Sequence, residues 1–284
     1  MRISQYEIGP GHPCFLVAEI GINHNGDIKI AKQLIDAAKV SGCQAVKFQK
    51  RTVEVVYTPE ELARPRESPF GKTNGDLKRG LEFSLADYME IDEYCAKKEI
   101  LWFASPWDEA SVDFLEDFEP PCYKVASACL TDIDLLQKIA ANKRPVIMST
   151  GMSSLEEITR AYNCFTHPAL LICTSTYPAQ LSELNLARIK TLQYYFPEDV
   201  IGYSGHETGL WSTLCAVALG ASIVERHITL DRSMWGSDQS ASIEPHGFAL
   251  LVREIRDFEK ARGIGKIGII ESELAIRDKL RRVK

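Results

Sequence analysis

Phe15-Leu16-Val17-Ala18-Glu19-Ile20-Gly21 is an apolar run broken by a single charge, Glu19. A run of this length with no polar alternation reads as a strand covered on both faces, which is the habit of parallel sheets. It is followed by a segment with helical spacing, Ile28 to Val40, and then by a second apolar run, Ala45 to Gln49. Strand, helix and strand in that order form a β-α-β unit, so the question is how often the unit recurs.

Working outward, the same kind of run returns at Ile100 to Ser105, Cys122 to Ser127, Val146 to Thr150, Ala169 to Ser175, Val200 to Ser204 and Ile223 to Thr229. Helical patterns follow most of them, at Asp108 to Asp117, Asp132 to Asn142, Leu155 to Cys164, Asn185 to Tyr195, Gly209 to Leu219 and Phe248 to Arg262. Eight strands with helical crossovers favour a closed (β/α)8 TIM barrel over an open doubly wound sheet, which typically has fewer strands. The chain of 284 residues fits a barrel domain of about 250 residues. We expect one α/β catalytic domain over residues 1–284. Residues 51–84, with Pro59, Pro65, Pro69, Gly71, Gly75 and Gly80, read as a long loop after the second strand, either a lid or a mobile segment. Residues 262–284 read as a carboxy-terminal tail.

Composition narrows the function classes. With 45% hydrophobic and 25% charged residues, the chain matches ordinary globular proteins. A formal charge of −6 argues against a nucleic-acid surface, and the basic cluster from Lys279 to Lys284 reads as solvated. The eight cysteines are scattered without a Cys-x-x-Cys pair, which fits a reducing cytoplasm. The amino terminus lacks a signal-peptide core and there is no stretch of 18 apolar residues, so no membrane association is expected.

In a barrel of this kind the chemistry gathers at the carboxyl ends of the strands. There the sequence places Glu19, Asn23 and His24 after the first run, Lys47 and Gln49 in the second, Ser105 in the third, and Lys124 and Ser127 in the fourth. Ser149 and Thr150 close the fifth, Thr174, Ser175 and Tyr177 the sixth, Ser204 and His206 the seventh, and Glu225, His227 and Thr229 the eighth. His206 and His227 end adjacent strands and so could share a first-row metal, although a lone histidine is more often structural. Lys47 and Lys124 lie in apolar strands, where an ammonium needs an anionic partner. A bound phosphate or carboxylate would serve, and so would Glu19 or Glu225; a Schiff-base role is also open. Asp238, in the loop after the last strand, reads either as a sugar ligand or as a turn residue.

Six ordered stretches then resemble one family. Ala18-Glu19-Ile20-Gly21-Ile22-Asn23-His24-Asn25-Gly26, Val46-Lys47-Phe48-Gln49, Tyr123-Lys124-Val125-Ala126-Ser127, Met148-Ser149-Thr150-Gly151-Met152, Cys173-Thr174-Ser175-Thr176-Tyr177-Pro178 and Glu225-Arg226-His227-Ile228-Thr229 are similar to the catalytic barrel of the N-acetylneuraminate (sialic acid) synthases. The resemblance implies condensation of phosphoenolpyruvate with the open-chain aldehyde of an amino sugar such as N-acetylmannosamine, or a related aldose, giving a 3-deoxy-2-keto acid and phosphate by C–O cleavage. It implies a divalent metal, usually Mn2+, with Mg2+ or Co2+ as alternatives, on His206 and His227, with Glu19 in acid/base or water-directing work. Lys47, Ser105, Lys124, Ser127, Ser149 and Ser204 match positions that hold phosphoenolpyruvate, and Gln49, Tyr177 and Asp238 match positions around the sugar. Such enzymes commonly form homodimers.

The departures concern the acceptor. Cys129 stands where the family usually has glutamate, Ser175 where asparagine is usual, and Gly205 where an aspartate often precedes the first metal histidine. The sequence printed ends at Lys284, without the antifreeze-like domain typical of the family, so altered acceptor recognition is expected. Two other readings stand beside the synthase: a Schiff-base pyruvate aldolase and a non-catalytic barrel that binds a sugar or a partner protein.

Overall fold

The computed structural model describes residues 1–283; Lys284, the last residue of the basic tail, lies outside them. Eight parallel strands form one sheet: β1 (Phe15–Gly21), β2 (Ala45–Lys50), β3 (Leu101–Pro106), β4 (Tyr123–Val125), β5 (Val146–Ser149), β6 (Ala169–Cys173), β7 (Ile201–Gly205) and β8 (Ile223–His227). Their order is β3-β2-β1-β8-β7-β6-β5-β4, and the two end strands pack on each other, so the sheet is nearly closed into a barrel. The expected strands end within two residues of the observed ones.

Alternation along each strand builds both the core and the site. Leu16, Ala18 and Ile20 face outward into the layer between sheet and helices, whereas Phe15 and Val17 point into the barrel. The inward series continues at Ala45, Phe103, Cys122, Ile147, Ala169, Leu171 and Ile223, which fill the amino-terminal half. An antiparallel hairpin, Arg2–Ile3 with Tyr6–Glu7, carries the fully buried Ile3 and Ile8 against this plug.

The outer layer consists of α1 (Ile28–Ser41), α2 (Leu85–Lys98), α3 (Glu109–Glu116), α4 (Ile133–Ala141), α5 (Leu155–Tyr162), α6 (Arg188–Tyr195), α7 (Trp211–Ala218) and α8 (Pro245–Arg262). Side chains of Asp27, Ser84, Asp108, Asp132 and Ser154 cap five of their amino termini, each worth about 1 kcal/mol. Helix α2, which supplies the crossover between β2 and β3, was absent from the helical patterns read in the sequence.

Residues 51–84 are not the loop that was expected. They fold into helical turns at Val53–Val56 and Pro59–Ala63, a hairpin of Pro65–Ser68 with Gly71–Thr73, and a helix at Asn74–Leu81. The prolines and glycines that suggested a loop sit at the ends of these short elements, and Thr58 and Thr73 form capping boxes that restart the chain as helix. The tail likewise includes a helix, Leu274–Leu280, with its residues exposed or half-exposed. No helix among the described residues is long and apolar enough to cross a membrane.

Candidate active site

Past the apolar plug, the next inward positions turn polar on six of the eight strands. Glu19 follows Val17, Lys47 follows Ala45, Ser105 follows Phe103, Lys124 follows Cys122, Ser149 follows Ile147, and Glu225 and His227 follow Ile223. Strand register sets them at neighbouring heights, with His227 paired to Glu19, Glu19 to Lys47, Gln49 to Ser105 and Ser204 to Glu225. Together they line a cavity of about 200 Å3 at the carboxyl end of the barrel.

Four charges occupy its floor. Lys47 Nζ lies 2.8 Å from Glu19 Oε2 and 3.7 Å from Glu225 Oε1, and Lys124 Nζ lies 3.9 Å from Glu225 Oε2. Hydroxyls complete the set: Lys47 donates to Ser105 Oγ at 3.2 Å, Lys124 to Ser149 Oγ at 2.6 Å, and Ser204 to Glu225 Oε1 at 3.3 Å. Burial penalises each charge, and the partners decide the outcome. For Glu19 burial wins over Lys47, and its pKa is pushed up to about 7. Glu225 is buried too, but Lys124 and Lys47 outweigh that and hold it below the usual carboxylate range. Burial lowers Lys124 against the pull of Glu225, whereas Glu19 and Glu225 overcome burial to raise Lys47. The floor therefore holds Lys47 firmly protonated, Lys124 pulled below the usual lysine range, one firm carboxylate and one carboxyl poised near neutrality.

The two histidines meet on one wall, their ring centroids 5.3 Å apart. His206 donates from Nδ1 to the Thr174 carbonyl at 2.6 Å, which leaves Nε2 with its lone pair; the Tyr177 hydroxyl donates to it at 2.8 Å. His227 is buried, its pKa pushed down to about 3 mainly by desolvation, so its imidazole is neutral. Its Nδ1 is buried without a hydrogen-bond partner and lies 3.9 Å from Asp238 Oδ2. Adjacent imidazoles, an orphaned ring nitrogen and a nearby carboxylate suit a first-row divalent metal. Among the described residues no three His, Cys, Asp or Glu side chains close around one point, so the two imidazoles are the nitrogen donors this wall offers.

Behind this wall the same strand ends carry a second buried ion pair. Arg226 precedes His227, Glu207 follows His206, and their side chains meet at 2.9 Å with both fully buried. Tyr203 and Ser212 donate to the Glu207 carboxylate, and Arg226 donates to the Glu207 carbonyl and to Thr213. Gly205 belongs to this cluster: a Cβ there would stand 2.7 Å from Glu207 Oε2.

Of the residues singled out in the sequence, Glu19, Lys47, Gln49, Ser105, Lys124, Ser127, Ser149, Tyr177, Ser204, His206 and His227 line the cavity. Ser127 sits in a 3-10 turn after β4 and accepts from the Gly151 amide. Asp238 does not line the cavity but stands beside His227. Trp107, Met152 and Cys173 line it as well and were not among the candidates. Cys173 was legible, since it follows Leu171 in the inward series; Trp107 lies beyond the end of β3, where parity gives no signal.

The family model described as the NeuB family matches residues 34–267. The chain belongs to the NeuB family. It is 43% identical over 284 residues to the N-acetylneuraminate-9-phosphate synthase of Mus musculus, covering 96% of this chain and 78% of that protein. It is 37% identical over 286 residues to the N,N'-diacetyllegionaminic acid synthase of Legionella pneumophila, covering 96% and 80%. The solved structure of an N-acetylneuraminic acid synthetase from Leptospira borgpetersenii, in complex with citrate, superposes with a TM-score of 0.86 at 34% identity, over 100% of this chain and 98% of that one. The NeuB chain described here is thus an enzyme of a family whose members include sialic and legionaminic acid synthases.

Proposed function

We propose that this NeuB enzyme condenses phosphoenolpyruvate with the open-chain aldehyde of an amino sugar or related aldose, giving a 3-deoxy-2-keto nonulosonic acid and phosphate. The observation that carries the reading is the floor of the cavity: two buried lysines bonded to serine hydroxyls, next to a carboxyl poised near pH 7 and two adjacent imidazoles. Lys47, Lys124 and the hydroxyls of Ser105, Ser127, Ser149 and Ser204 offer charge-assisted hydrogen bonds to a phosphate and a carboxylate on one small molecule. Gln49 and Tyr177 stand further up the wall and would orient sugar hydroxyls, with Asp238 at the rim.

Carbon 3 of phosphoenolpyruvate forms the new bond to the aldehyde carbon, whose oxygen becomes a hydroxyl by taking a proton. Water adds at carbon 2 and loses a proton, and the adduct collapses to the ketone as the bond between carbon 2 and the phosphate oxygen breaks. Glu19, with a pKa near 7, has the proton affinity both to accept and to return a proton at neutral pH. Gln49 donates to Glu19 Oε1 at 3.1 Å and fixes the carboxyl's orientation. His206 and His227 would hold a divalent metal, which when bound supplies Lewis-acid polarisation of the aldehyde oxygen.

The test is phosphate release from phosphoenolpyruvate with Mn2+ across a panel of aldoses, N-acylated and plain. Release that needs both a metal and one class of sugar supports the reading, and silence across the panel overturns it. His206→Ala and His227→Ala should each abolish release and weaken Mn2+ binding while the circular dichroism spectrum stays unchanged. Because burial lowers the Lys124 pKa, a Schiff-base aldolase is the second reading. Borohydride trapping of pyruvate on Lys124 would establish it and displace the first.

A further inference from the structure

The two histidines of the cavity wall sit at the point where their strands stop pairing. Between β7 and β8 the register runs through Tyr203 with Val224 and Ser204 with Glu225, and it ends at Gly205 with Arg226. His206 and Glu207 continue beyond that last pair. From there each histidine is held from its far side. The His206 carbonyl accepts from the Ala179 amide at 3.1 Å and its ring bonds the Thr174 carbonyl, whereas His227 pairs with Glu19 of β1 and its carbonyl accepts from the Ile243 amide at 2.8 Å. Neither set of bonds fixes the distance from one ring to the other.

The Arg226 side chain crosses this gap. It leaves β8 at the last paired position; Nη1 reaches Glu207 Oε1 at 2.9 Å and the Gly209 carbonyl at 3.2 Å, and Nη2 donates to the Glu207 carbonyl. These contacts fall on the chain directly after His206. The far end is pinned in turn, because Tyr203 donates to Glu207 Oε2 at 2.8 Å and Ser212 donates to Oε1. Both charged side chains are fully buried, so water does not compete for these bonds. The pair has little room to shift, since a Cβ on Gly205 would stand 2.7 Å from Glu207 Oε2 and 3.0 Å from Arg226 Cδ.

Spacing matters most where donors are few. With no three His, Cys, Asp or Glu side chains closing on one point among the described residues, a metal on this wall depends on both imidazoles. A metal–imidazole bond is about 2 Å long, and a drift of about 1 Å between the strand ends would take one nitrogen out of range.

We propose that Arg226 and Glu207 are positioning residues for a divalent metal: their buried pair takes over where the β7–β8 ladder ends and sets the spacing of His206 and His227. The proposal rests on the reading of those histidines as metal ligands, and it gives the pair no contact with substrate.

The experiment measures Mn2+ binding to the full chain without substrate, from the electron paramagnetic resonance signal of the free ion, beside urea unfolding. The variants are Arg226→Met, Arg226→Met with Glu207→Gln, and Arg51→Met, which breaks the ion pair of Arg51 with Glu82 instead. Loss of the bridge should weaken Mn2+ binding about tenfold, the lower end of what loss of a ligand-holding residue costs. Removing both charges should restore part of the stability but none of the metal affinity, and Arg51→Met should bind Mn2+ as the wild type does. If Arg226→Met does not fold, the double variant decides against the wild type. Mn2+ affinity that recovers along with stability, that keeps its wild-type value in the Arg226 variants, or that falls equally in Arg51→Met would overturn the proposal and leave the synthase reading standing. A wild type that takes up no Mn2+ would end the proposal together with the metal part of that reading.

Discussion

A buried ion pair at the ends of β7 and β8 lies behind the buried charge cluster of the cavity floor, and the two differ in how completely their hydrogen bonds are met. The rear pair, Arg226 with Glu207, is closed on itself: tyrosine, serine and threonine hydroxyls and backbone carbonyls take up its donors and acceptors, with only Arg226 Nε lacking a partner. The front cluster of Lys47, Lys124, Glu19 and Glu225 opens on a cavity, and two of its contacts are as long as 3.7 and 3.9 Å. A saturated cluster has nothing left to offer a ligand and serves to hold strands. An unsaturated one keeps charge ready for groups that arrive, at a cost in stability that shows as a displaced Glu19 pKa.

Stability should separate the two most sharply. Arg226→Met leaves Glu207 charged, buried and unpaired, and should cost about 3–5 kcal/mol in urea unfolding. The double variant Arg226→Met with Glu207→Gln should recover part of that loss. A cost under about 1 kcal/mol for the single variant would remove the distinction drawn here. At the front, Lys47→Met should lower turnover about a hundredfold or more, as loss of a preorganised charge does. It should destabilise less than Arg226→Met, because Glu19 can answer by taking a proton.

Glu19→Gln sharpens the comparison through pH. With a folded pKa of about 7 above an unfolded value of 4.5, Glu19 binds more protons in the folded state, so its contribution to stability falls as pH rises through that window. The glutamine variant should lack this loss, a difference on the order of 2 kcal/mol between pH 4.5 and 7 in paired denaturation curves. Ser105→Ala should have the smallest effect, under about 1 kcal/mol in stability with a few-fold rise in KM for phosphoenolpyruvate.

Much of the site was legible because a strand repeats every two residues. Once Phe15 and Val17 are assigned to the barrel interior, Glu19 must follow them, and the same count delivers Lys47, Lys124, Ser149 and His227. The rear cluster was not legible in this way. Arg226 and Glu207 lie between inward positions, and a charged residue on an outward face reads as solvated until the packing of α7 against β7 is known. The 51–84 excursion was missed for a different reason: its elements are so short that their caps and turns make up most of the segment. Asp238 reached the neighbourhood of His227 but not the cavity, since the length of a loop does not reveal where its side chains come to rest.

The hairpin formed by the first residues seals the amino-terminal end of the barrel, with Ile3 and Ile8 seated on the apolar plug. Traffic is therefore confined to one doorway. In a two-substrate reaction within such a blind-ended well, the molecule bound at the bottom has to enter before the one that sits above it and cannot depart until the upper site empties. Initial-rate patterns should then show compulsory order, with the ligand of Lys124 and Ser149 first.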